Sequence, residues 1–499
     1  MLQNTMMTWC VALVLLAAVN AWASEEPSRA TVSEKVVAQV DFSSWIKQSY
    51  KASPDGSRFA LAVRKSGKMF FVVDGKAQTP YDGVANPVFS PDSKHVAYPA
   101  GAKKKLFIVV DGQAQKQYDL IAENGPVFSP DSKRLMYGVH SGGKWAIIVD
   151  GKAQRQYDLL GKGNMLFSPD SKHVAYAAKK GNTWYIVVDG KEQGRYDTIH
   201  PGTLSFSPDS KRIAYVAENG NKLYVFVDGK ADKPCDSYGG GTIKFSPDSG
   251  HVVYAATIEG KLHIFLDGKE QKPYDSIGSG TPIFSPDSKH LAYVAKTGNK
   301  MFVVMDGKEL TPHEFIVPNT LTFSPDSQHL VYFATSGKKM FAVIDEKKGI
   351  EYDGTVKGTP LFSPDSKHMA YGARVGNQWF AVVDGEEGKK YDGVSSLFFS
   401  PDSKRLAYAA KVKNKWTVVV DGKEDAQYDE IGQDTLIFSP DSKHVAYLVA
   451  SGRQQFVILD GKELKRYDGI LHDTLVFNAD GSLRYFAPKG NSIYSITAR

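Results

Sequence analysis

The amino-acid sequence predicts an all-β protein, a β-propeller of twelve four-stranded blades of about 39 residues each. Three observations lead to this fold class. A Ser-Pro-Asp tripeptide recurs at a nearly constant spacing, and each copy has the same order of apolar segments and turn residues. The third apolar segment of each copy also lacks the alternation of apolar and polar residues that is expected when one face of a sheet is exposed to solvent.

The recurring tripeptide defines the repeat. Its serine lies at positions 53, 90, 129, 168, 207, 246, 285, 324, 363, 400 and 439, and Asn478-Ala479-Asp480 is a degenerate twelfth copy. The second and tenth copies follow their predecessors after 37 residues, and all the others follow after 39. A period near 40 residues is typical of repeat architectures.

Each copy predicts a first strand, a Ser-Pro-Asp turn, a second strand, a second turn, a third strand, and an Asp-Gly turn into a more polar fourth strand. In one copy these are residues 281–284, 285–288, 290–295, 297–299, 301–305 and 306–307, and 269–277 is the fourth strand of the copy before. Proline and aspartate favour the first turn, and Asp-Gly favours a type I′ hairpin turn, which needs positive φ at both central residues. Apolar third strands such as Val418-Val419-Val420 indicate burial on both sides, as in a blade between two others.

The two ends of the repeat region predict closure of the ring. The last copy stops after its third strand, residues 492–496, while a strand-like segment, residues 36–42, precedes the first Ser-Pro-Asp. We expect this N-terminal segment to pair with the last blade. Twelve blades exceed the usual four to eight, so two tandem or nested six-bladed rings are the alternative to a single ring.

The first 23 residues have a different composition. They contain no charged side chain, and an apolar run from Trp9 to Val19 precedes Ala21-Trp22-Ala23. This pattern is typical of a signal peptide cleaved after Ala23. We therefore expect a periplasmic or secreted protein, with residues 24–35 as a disordered segment and 36–499 as the propeller. Cys235 is then the one remaining cysteine, so the fold needs no disulfide.

The segments Phe-Ser-Pro-Asp-Ser-Lys followed by Ala-Tyr, for example Phe167 to Lys172 with Ala175-Tyr176, resemble the WD40-like propeller repeat of the TolB type. The resemblance spans about residues 36–499. It implies blade architecture and leaves function open. The stretch between Ala23 and Ser53 is too short for the N-terminal α/β domain of TolB, and no hydrolase domain accompanies the propeller as in prolyl oligopeptidase-like enzymes.

The overall charge excludes one class of function. The formal net charge is +6 over 499 residues, which is far from the dense basic stripe of a nucleic-acid-binding protein. Two repeat positions do carry lysines: one follows the Ser-Pro-Asp turn, as at Lys94 and Lys289, and one follows the Asp-Gly turn, as at Lys76 and Lys308. Both turns should lie on one face, which could attract an anionic glycan or a lipid headgroup. The alternative is a role in solubility, with neighbouring acidic residues offsetting the charge.

The remaining repeated polar residues predict structure, not chemistry. The Ser-Pro-Asp aspartates, such as Asp131, are interpreted as turn residues. No cofactor or metal site is expected. Seven of the twelve histidines share one repeat position with arginines, which indicates a solvated strand start. They are His95, His173, His251, His290, His329, His368 and His444. Cys235 occupies the position of Tyr274 in the next copy, so we expect it to be a packing residue.

Sequence variation concentrates in the segments leading into each first strand, which we expect to be loops on the face opposite the lysines. Loops are where rigid scaffolds place recognition residues. The candidate ligand-binding residues in these loops are Glu123, Asn124, His200, Tyr238, Asn319, His472 and Asp473.

The sequence therefore favours a monomeric, non-catalytic scaffold that holds a protein or peptide partner on its variable loops. Catalysis needs an asymmetric set of acid, base or nucleophile, and the copies are nearly interchangeable. Two alternatives remain: polyanion or glycan binding by the lysine-rich face, and a hydrolase or lyase that acts on sugars or lactones at the channel mouth. The enzyme would need carboxylates to converge from loops, for which Glu123 and Asp473 are the candidates.

Overall fold

A computed structural model describes residues 31–39, 44–46, 49–471 and 473–499. All regular secondary structure in these residues is β-strand, and the strands form twelve antiparallel sheets. The predicted twelve-bladed β-propeller is therefore confirmed. Blades are numbered here by their Ser-Pro-Asp turns, from Ser53 in blade 1 to Asn478 in blade 12. The predicted signal peptide lies outside the described residues, and the division of the chain into segments stays a prediction.

The second and third strands form the long central hairpin of each blade. In blade 7 they pair from Ala292 with Met305 to Thr297 with Lys300, and Val303 and Val304 are fully buried. The second strands are Phe59–Lys65, Val96–Ala102, Leu135–Ser141, Val174–Lys180, Ile213–Asn219, Val252–Ile258, Leu291–Thr297, Leu330–Ser336, Met369–Val375, Leu406–Val412, Val445–Ser451 and Leu483–Lys489. The third strands are Lys68–Val73, Lys105–Val110, Lys144–Val149, Thr183–Val188, Lys222–Val227, Lys261–Leu266, Lys300–Met305, Lys339–Ile344, Gln378–Val383, Lys415–Val420, Gln454–Leu459 and Ser492–Ala498.

A tight turn leads from the third strand to the fourth in blades 1 to 11, and it is Asp-Gly in all of them except blade 8, where it is Asp345-Glu346. Asp306 and Gly307 have φ values of 50° and 81°, as a type I′ turn requires. The fourth strands are Lys76–Ala77, Gln113–Ala114, Lys152–Ala153, Lys191–Tyr196, Lys230–Ala231, Lys269–Glu270, Lys308–Glu309, Lys347–Tyr352, Glu386–Glu387, Lys423–Glu424, Lys462–Glu463 and, for blade 12, Val32–Gln39. The predicted fourth strand 269–277 is too long: Tyr274 still bridges to Leu262, but Ser276–Ile277 pairs with the second strand of blade 7.

The first strand of most blades is divided into two halves. The half next to the turn between the second and third strands is Gly83–Val84, Leu120–Ile121, Thr198–Ile199, Ser237–Tyr238, Ser276–Ile277, Phe315–Ile316, Gly354–Thr355 or Glu430–Ile431. The half next to the Ser-Pro-Asp turn is Lys51–Ala52, Val88–Phe89, Val127–Phe128, Ser205–Phe206, Lys244–Phe245, Ile283–Phe284, Thr322–Phe323, Leu361–Phe362, Ile437–Phe438 or Val476–Phe477. Blades 4 and 10 have one longer first strand each, Leu159–Phe167 and Gly393–Phe399.

The N-terminal strand closes the ring, as predicted. Val32–Gln39 pairs antiparallel with Ser492–Ala498 and begins ahead of the predicted propeller boundary at residue 36. Glu34 on this strand accepts hydrogen bonds from the Tyr467 hydroxyl and, at 2.5 Å, from the Lys465 ammonium group, both of blade 11. The strand therefore completes blade 12 and also contacts the neighbouring blade.

The apolar core shows that there is one ring and not two. A separate cluster of buried side chains joins each blade to the next. Blade 6 packs on blade 7 through Ile264 and Tyr293, and blade 12 packs on blade 1 through Phe486 and Phe59, whose ring centroids are 4.9 Å apart. Two six-bladed rings would instead pair blade 6 with blade 1 and blade 12 with blade 7. Because both faces of every blade are used in sequential contacts, the twelve blades form a single ring.

Candidate functional site

The Ser-Pro-Asp aspartates hold turns and connect blades. In blade 7, Asp287 Oδ1 accepts hydrogen bonds from the Ser285 hydroxyl at 2.6 Å and from the backbone N–H of Lys289 at 3.1 Å. These two bonds lower the pKa of Asp287 to about 2. Its own backbone N–H donates to Ser327 Oγ of blade 8 at 3.0 Å. The carboxylates are therefore occupied within the turn, as predicted for turn residues.

The shared histidine and arginine position has a specific partner that the sequence analysis did not predict. His290 Nδ1 lies 2.7 Å from Asp306 Oδ2, and Asp306 Oδ1 accepts the N–H of Leu291 at 2.9 Å. Where the residue is arginine, as at Arg212, its Nε bonds the equivalent aspartate and its guanidinium also donates to the Ser249 carbonyl of the next blade at 3.1 Å. The position is half-exposed, as expected of a solvated strand start, and it also ties the two turns of its blade together.

This contact places the Ser-Pro-Asp and Asp-Gly turns on one face, called here the lysine face. The lysines after the first turn are exposed, but each of seven lies near the aspartate of its own turn. The Lys289 ammonium is 3.4 Å from Asp287 Oδ2, and the longest of these distances, at Lys367, is 4.0 Å. In blade 9, Glu386 replaces the lysine after the Asp-Gly turn. The positive charge of these seven lysines is thus offset locally.

The predicted variable loops are not connections between blades, and this expectation is corrected. In blade 6, Ser237 pairs with Thr257 and Lys244 pairs with Val253, so residues 239–243 bulge out of the first strand. The crossing between blades is short because, in blades 1 to 10, the residue after the Tyr-Asp pair or its equivalent already belongs to the first strand of the next blade. The segments with variable sequence are therefore bulges within the first strand, and we call them the bulges.

A threonine fixes the shape of most bulges. In blade 8, Thr320 Oγ1 donates to the Val317 carbonyl at 2.8 Å and accepts the backbone N–H of Phe333 at 3.1 Å. The same pair of bonds recurs at Thr203, Thr242, Thr281, Thr435 and Thr474. The hydroxyl replaces the strand partner that the bulge removes, so the two residues ahead of it are free to vary.

Consecutive bulges contact each other around the ring. Lys162 of blade 4 pairs with Glu123 of blade 3 at 3.1 Å, and the buried Asn164 side chain donates to the His200 carbonyl of blade 5 at 3.0 Å. The His200 ring then meets the Tyr238 ring of blade 6 edge to face, with centroids 5.3 Å apart. Since the first strand is the inner strand of a propeller blade, these residues form a continuous strip on the channel wall, called here the inner strip.

Sequence analysis identified only part of this strip. It singled out Glu123, His200 and Tyr238 but missed Lys162 and Asn164. The signal was present, because Lys162 lies 39 residues, one repeat, after Glu123. Within the strip His200 Nε2 is 2.9 Å from Glu218 Oε1, and burial raises the pKa of Tyr238. The strip thus combines an ion pair, an amide and two aromatic rings.

The other candidates lie in different places. Asn124 lies next to Glu123 and lines the same cavity as Lys162, so it adjoins the inner strip. Asn319 is exposed on the bulge of blade 8, and Asp473, in blade 12, lines a cavity of about 570 Å³ with Tyr50 and residues of blade 2. His472 is outside the described residues. The structure therefore brings four of the seven candidates together.

An acidic residue after the fourth strand, aspartate in all blades but blade 7, which has Glu314, was also missed. Asp275 binds the Lys261 ammonium of its own blade and accepts the backbone N–H of Gly298 of the next blade at 2.7 Å. The contact recurs wherever Tyr-Asp occurs, for example at Asp158 with Gly181. The recurring Tyr-Asp pair was the sequence signal for this contact, but the sequence analysis places the pair in the fourth strand alone. These aspartates connect blades on the face opposite the lysine face.

No protein-family model and no curated protein matches this chain. Solved structures with partial similarity include that titled "Crystal structure of the eukaryotic initiation factor", with 13% identity and a TM-score of 0.37 over 74% of this chain and 95% of that chain. TolB from Acinetobacter baumannii has 15% identity and a TM-score of 0.25 over 59% and 78% of the two chains. The β-propeller domain of the Trilobed protease from Pyrococcus furiosus has 17% identity and a TM-score of 0.26 over 55% and 97%. These are distant similarities, and they carry no information about what this chain binds.

The arrangement suits recognition by hydrogen bonds and aromatic contacts. Glu123 already pairs with Lys162, and Asp473 lies on blade 12, so these two predicted carboxylates do not converge. Among the described residues, no group of three or more His, Cys, Asp or Glu side chains could hold a metal ion. No helix in the described part of the chain is long and apolar enough to cross a membrane.

Proposed function

We propose that this protein is a non-catalytic binding scaffold of the cell envelope or the secreted space, which holds a protein or peptide partner against its inner strip. The proposal rests on one observation, the continuous contact between the bulges of blades 3 to 6. The variable side chains thereby form one surface on a rigid frame. A preorganised surface loses little conformational entropy when it binds.

The two alternatives have less support. Polyanion binding by the lysine face would need a surplus of positive charge, yet Lys289 and six equivalent lysines each lie near the aspartate of their own turn. An enzyme at the channel mouth would need acidic side chains at one point, but Glu123 and Asp473 lie on blades 3 and 12. The envelope location rests on the predicted signal peptide.

The test is site-specific crosslinking in the native envelope. A tagged chain would carry Tyr238→p-benzoylphenylalanine in the inner strip, and the matched control would carry Lys289→p-benzoylphenylalanine on the lysine face. We expect one reproducible protein partner to crosslink at position 238 and not at position 289, because only the first position lies on the proposed surface.

Each other outcome counts against the proposal. Crosslinks from position 289 alone, or retention of glycan or lipid with loss of binding at high salt, would support the polyanion alternative. If position 238 gave no protein crosslink, the inner strip would not be the binding surface. As a second measurement, Glu123→Ala together with His200→Ala should lower the captured amount at least about tenfold, which corresponds to about 1.4 kcal/mol.

A further inference from the structure

A groove crosses blades 2, 3 and 4 on the face opposite the lysine face. One cavity of about 540 Å³ lies between blades 2 and 3, and a second of about 440 Å³ lies between blades 3 and 4. Both are lined by Ile121, Ala122 and Glu123, so the groove consists of two cavities that adjoin at the first strand of blade 3. We call it the blade 2–4 groove.

The first cavity of the groove is open because blade 2 lacks side chains that blade 3 has. Gly83 and Gly101 are cross-strand partners in blade 2, where blade 3 has Leu120 and His140 at the same positions. A Cβ atom on Gly83 would have no neighbour within 4 Å. Blade 2 is also one of the two 37-residue repeats, so its bulge is shorter than most. The space of the first cavity therefore comes from the sequence of one blade and not from the general architecture.

The wall of the groove is apolar. Leu120 and Leu159 are 48% and 47% exposed, and they lie at the same repeat position in consecutive blades. Trp145 and Leu160 line the cavity beside them. Blades 5, 6 and 7 have Thr198, Ser237 and Ser276 at this position, so the paired exposed leucines are specific to this part of the ring. An exposed apolar patch of this kind is typical of an interaction site.

The rim of the groove is basic. Lys104 and Lys105 line the first cavity and Lys162 lines the second. Asp82 and Glu123 also line the groove, but the carboxylates here are engaged: Lys68 binds Asp82 and Lys105 binds Asp119, each at 2.5 Å, and Lys162 binds Glu123. Among the described residues, no acidic side chain lies within 4 Å of the Lys103, Lys104 or Lys180 ammonium groups to form an ion pair. The equivalent turn of blade 6 carries Glu259 at the position of Lys103, so this charge differs between blades.

We propose that the blade 2–4 groove binds an extended acidic peptide segment of the partner protein. Apolar side chains of the peptide would occupy the two cavities, and its carboxylates would meet the lysines at the rim. Successive side chains on one side of an extended strand are about 7 Å apart, a spacing that allows one peptide to reach both cavities. This proposal rests on the proposed function, because it names the part of the partner that the scaffold recognises.

The test uses a library of random twelve-residue peptides displayed on phage and selected on the protein from residue 24 to 499. Peptides recovered on the wild type should be rich in Asp and Glu together with Leu, Ile or Phe. Gly83→Leu gives blade 2 the side chain that blade 3 has and fills the first cavity. The matched control, Ser276→Leu, makes the same change at the same repeat position in blade 7.

We expect Gly83→Leu and the double variant Lys103→Glu with Lys104→Glu each to weaken binding of the selected peptides at least tenfold, whereas Ser276→Leu should change it less than twofold. Equal melting temperatures would show that the variants fold. Recovery of no peptide, recovery of neutral or basic peptides, or equal binding to Gly83→Leu would overturn the proposal. So would binding of anionic lipid vesicles with no peptide binding. If the crosslink at position 238 persisted in any of these cases, the groove would be excluded while the scaffold function stood.

Discussion

At the scale of single residues, the Ser-Pro-Asp turn uses one aspartate for two purposes. The Asp287 carboxylate closes its own turn through Ser285 and Lys289, while its backbone N–H reaches Ser327 of the next blade. The sequence predicted the turn, because proline and aspartate favour it locally. It did not predict the bond to the next blade, because that bond depends on how two copies 39 residues apart are placed in space.

These turns should make the protein sensitive to acid. The pKa values of Asp92, Asp170 and Asp287 are lowered from 3.8 to about 2, first by the serine hydroxyl and then by a backbone N–H. A carboxyl group whose folded pKa is depressed stabilises the fold above its unfolded pKa, and the contribution is lost as the pH falls from about 4 to about 2. The triple variant Asp92→Asn, Asp170→Asn and Asp287→Asn should melt below the wild type at pH 6, and the difference should vanish near pH 2. Circular dichroism melts of the variant and the wild type at the two pH values measure this difference. A difference that is independent of pH would contradict the lowered pKa of these aspartates.

At the scale of elements, the bulge depends on its threonine. Thr320 is buried and gives Phe333 the acceptor that its strand partner no longer supplies. Thr320→Val keeps the shape but leaves this buried N–H unpaired, which should cost about 1–3 kcal/mol of unfolding free energy. Chemical denaturation measures the loss, and hydrogen exchange at the Phe333 amide should accelerate.

Thr320→Ser is the control for this prediction, because serine keeps the hydroxyl. It should retain slow exchange at Phe333 and most of the stability. If the valine and serine variants behaved alike, the hydroxyl would not be what fixes the bulge.

Sequence patterns predicted the strands and turns of each blade but not the bulge. The second and third strands follow from apolar runs and the Asp-Gly turn, which are local signals. The bulge follows from the register of Ser237 with Thr257 and of Lys244 with Val253, and register is set by the partner strand. For the same reason the sequence located Glu123 and His200 as variable residues but not their connection through Lys162 and Asn164.

At the scale of the whole molecule, contacts between copies decide the ring. Strand counts are equal for one ring of twelve blades and for nested rings, so the sequence left both open. The buried contact of Ile264 with the Tyr293 cluster joins blades 6 and 7, and the contact of Phe59 with Phe486 joins blades 1 and 12. Near-identical copies have interchangeable faces, which is why their order of packing could not be predicted from composition or spacing.

Closure by the N-terminal strand should control the stability of the ring. A chain that starts at residue 40 would leave the edge of Ser492–Ala498 unpaired and would remove the Glu34 contacts with blade 11. We expect its melting temperature to fall by at least about 5 °C. Small-angle X-ray scattering should show a larger radius of gyration as blade 12 separates from its neighbours.

A chain that starts at residue 31 is the control for closure, since it keeps the whole strand. It should have the same melting temperature as the untruncated chain. A synthetic peptide of residues 31–39 should restore part of the lost stability to the chain that starts at residue 40. Equal melting temperatures for the two truncated chains would contradict a closing role for the strand.

The alternation of arginine and histidine at one repeat position implies that the ring is not equally stiff all the way round. Arg58, Arg134, Arg212 and Arg405 each donate to backbone carbonyl groups of the following blade. Blades 6 to 9 all carry histidine there, and in blades 6 to 8 the imidazole instead stacks on a phenylalanine of the following blade, as His290 does on Phe323. Four consecutive junctions therefore lack the cross-blade bonds that the arginines make among the described residues. A partner that deforms the ring on binding would bend this arc first, because in blades 1 to 6, which carry the inner strip and the blade 2–4 groove, arginine recurs at every second blade.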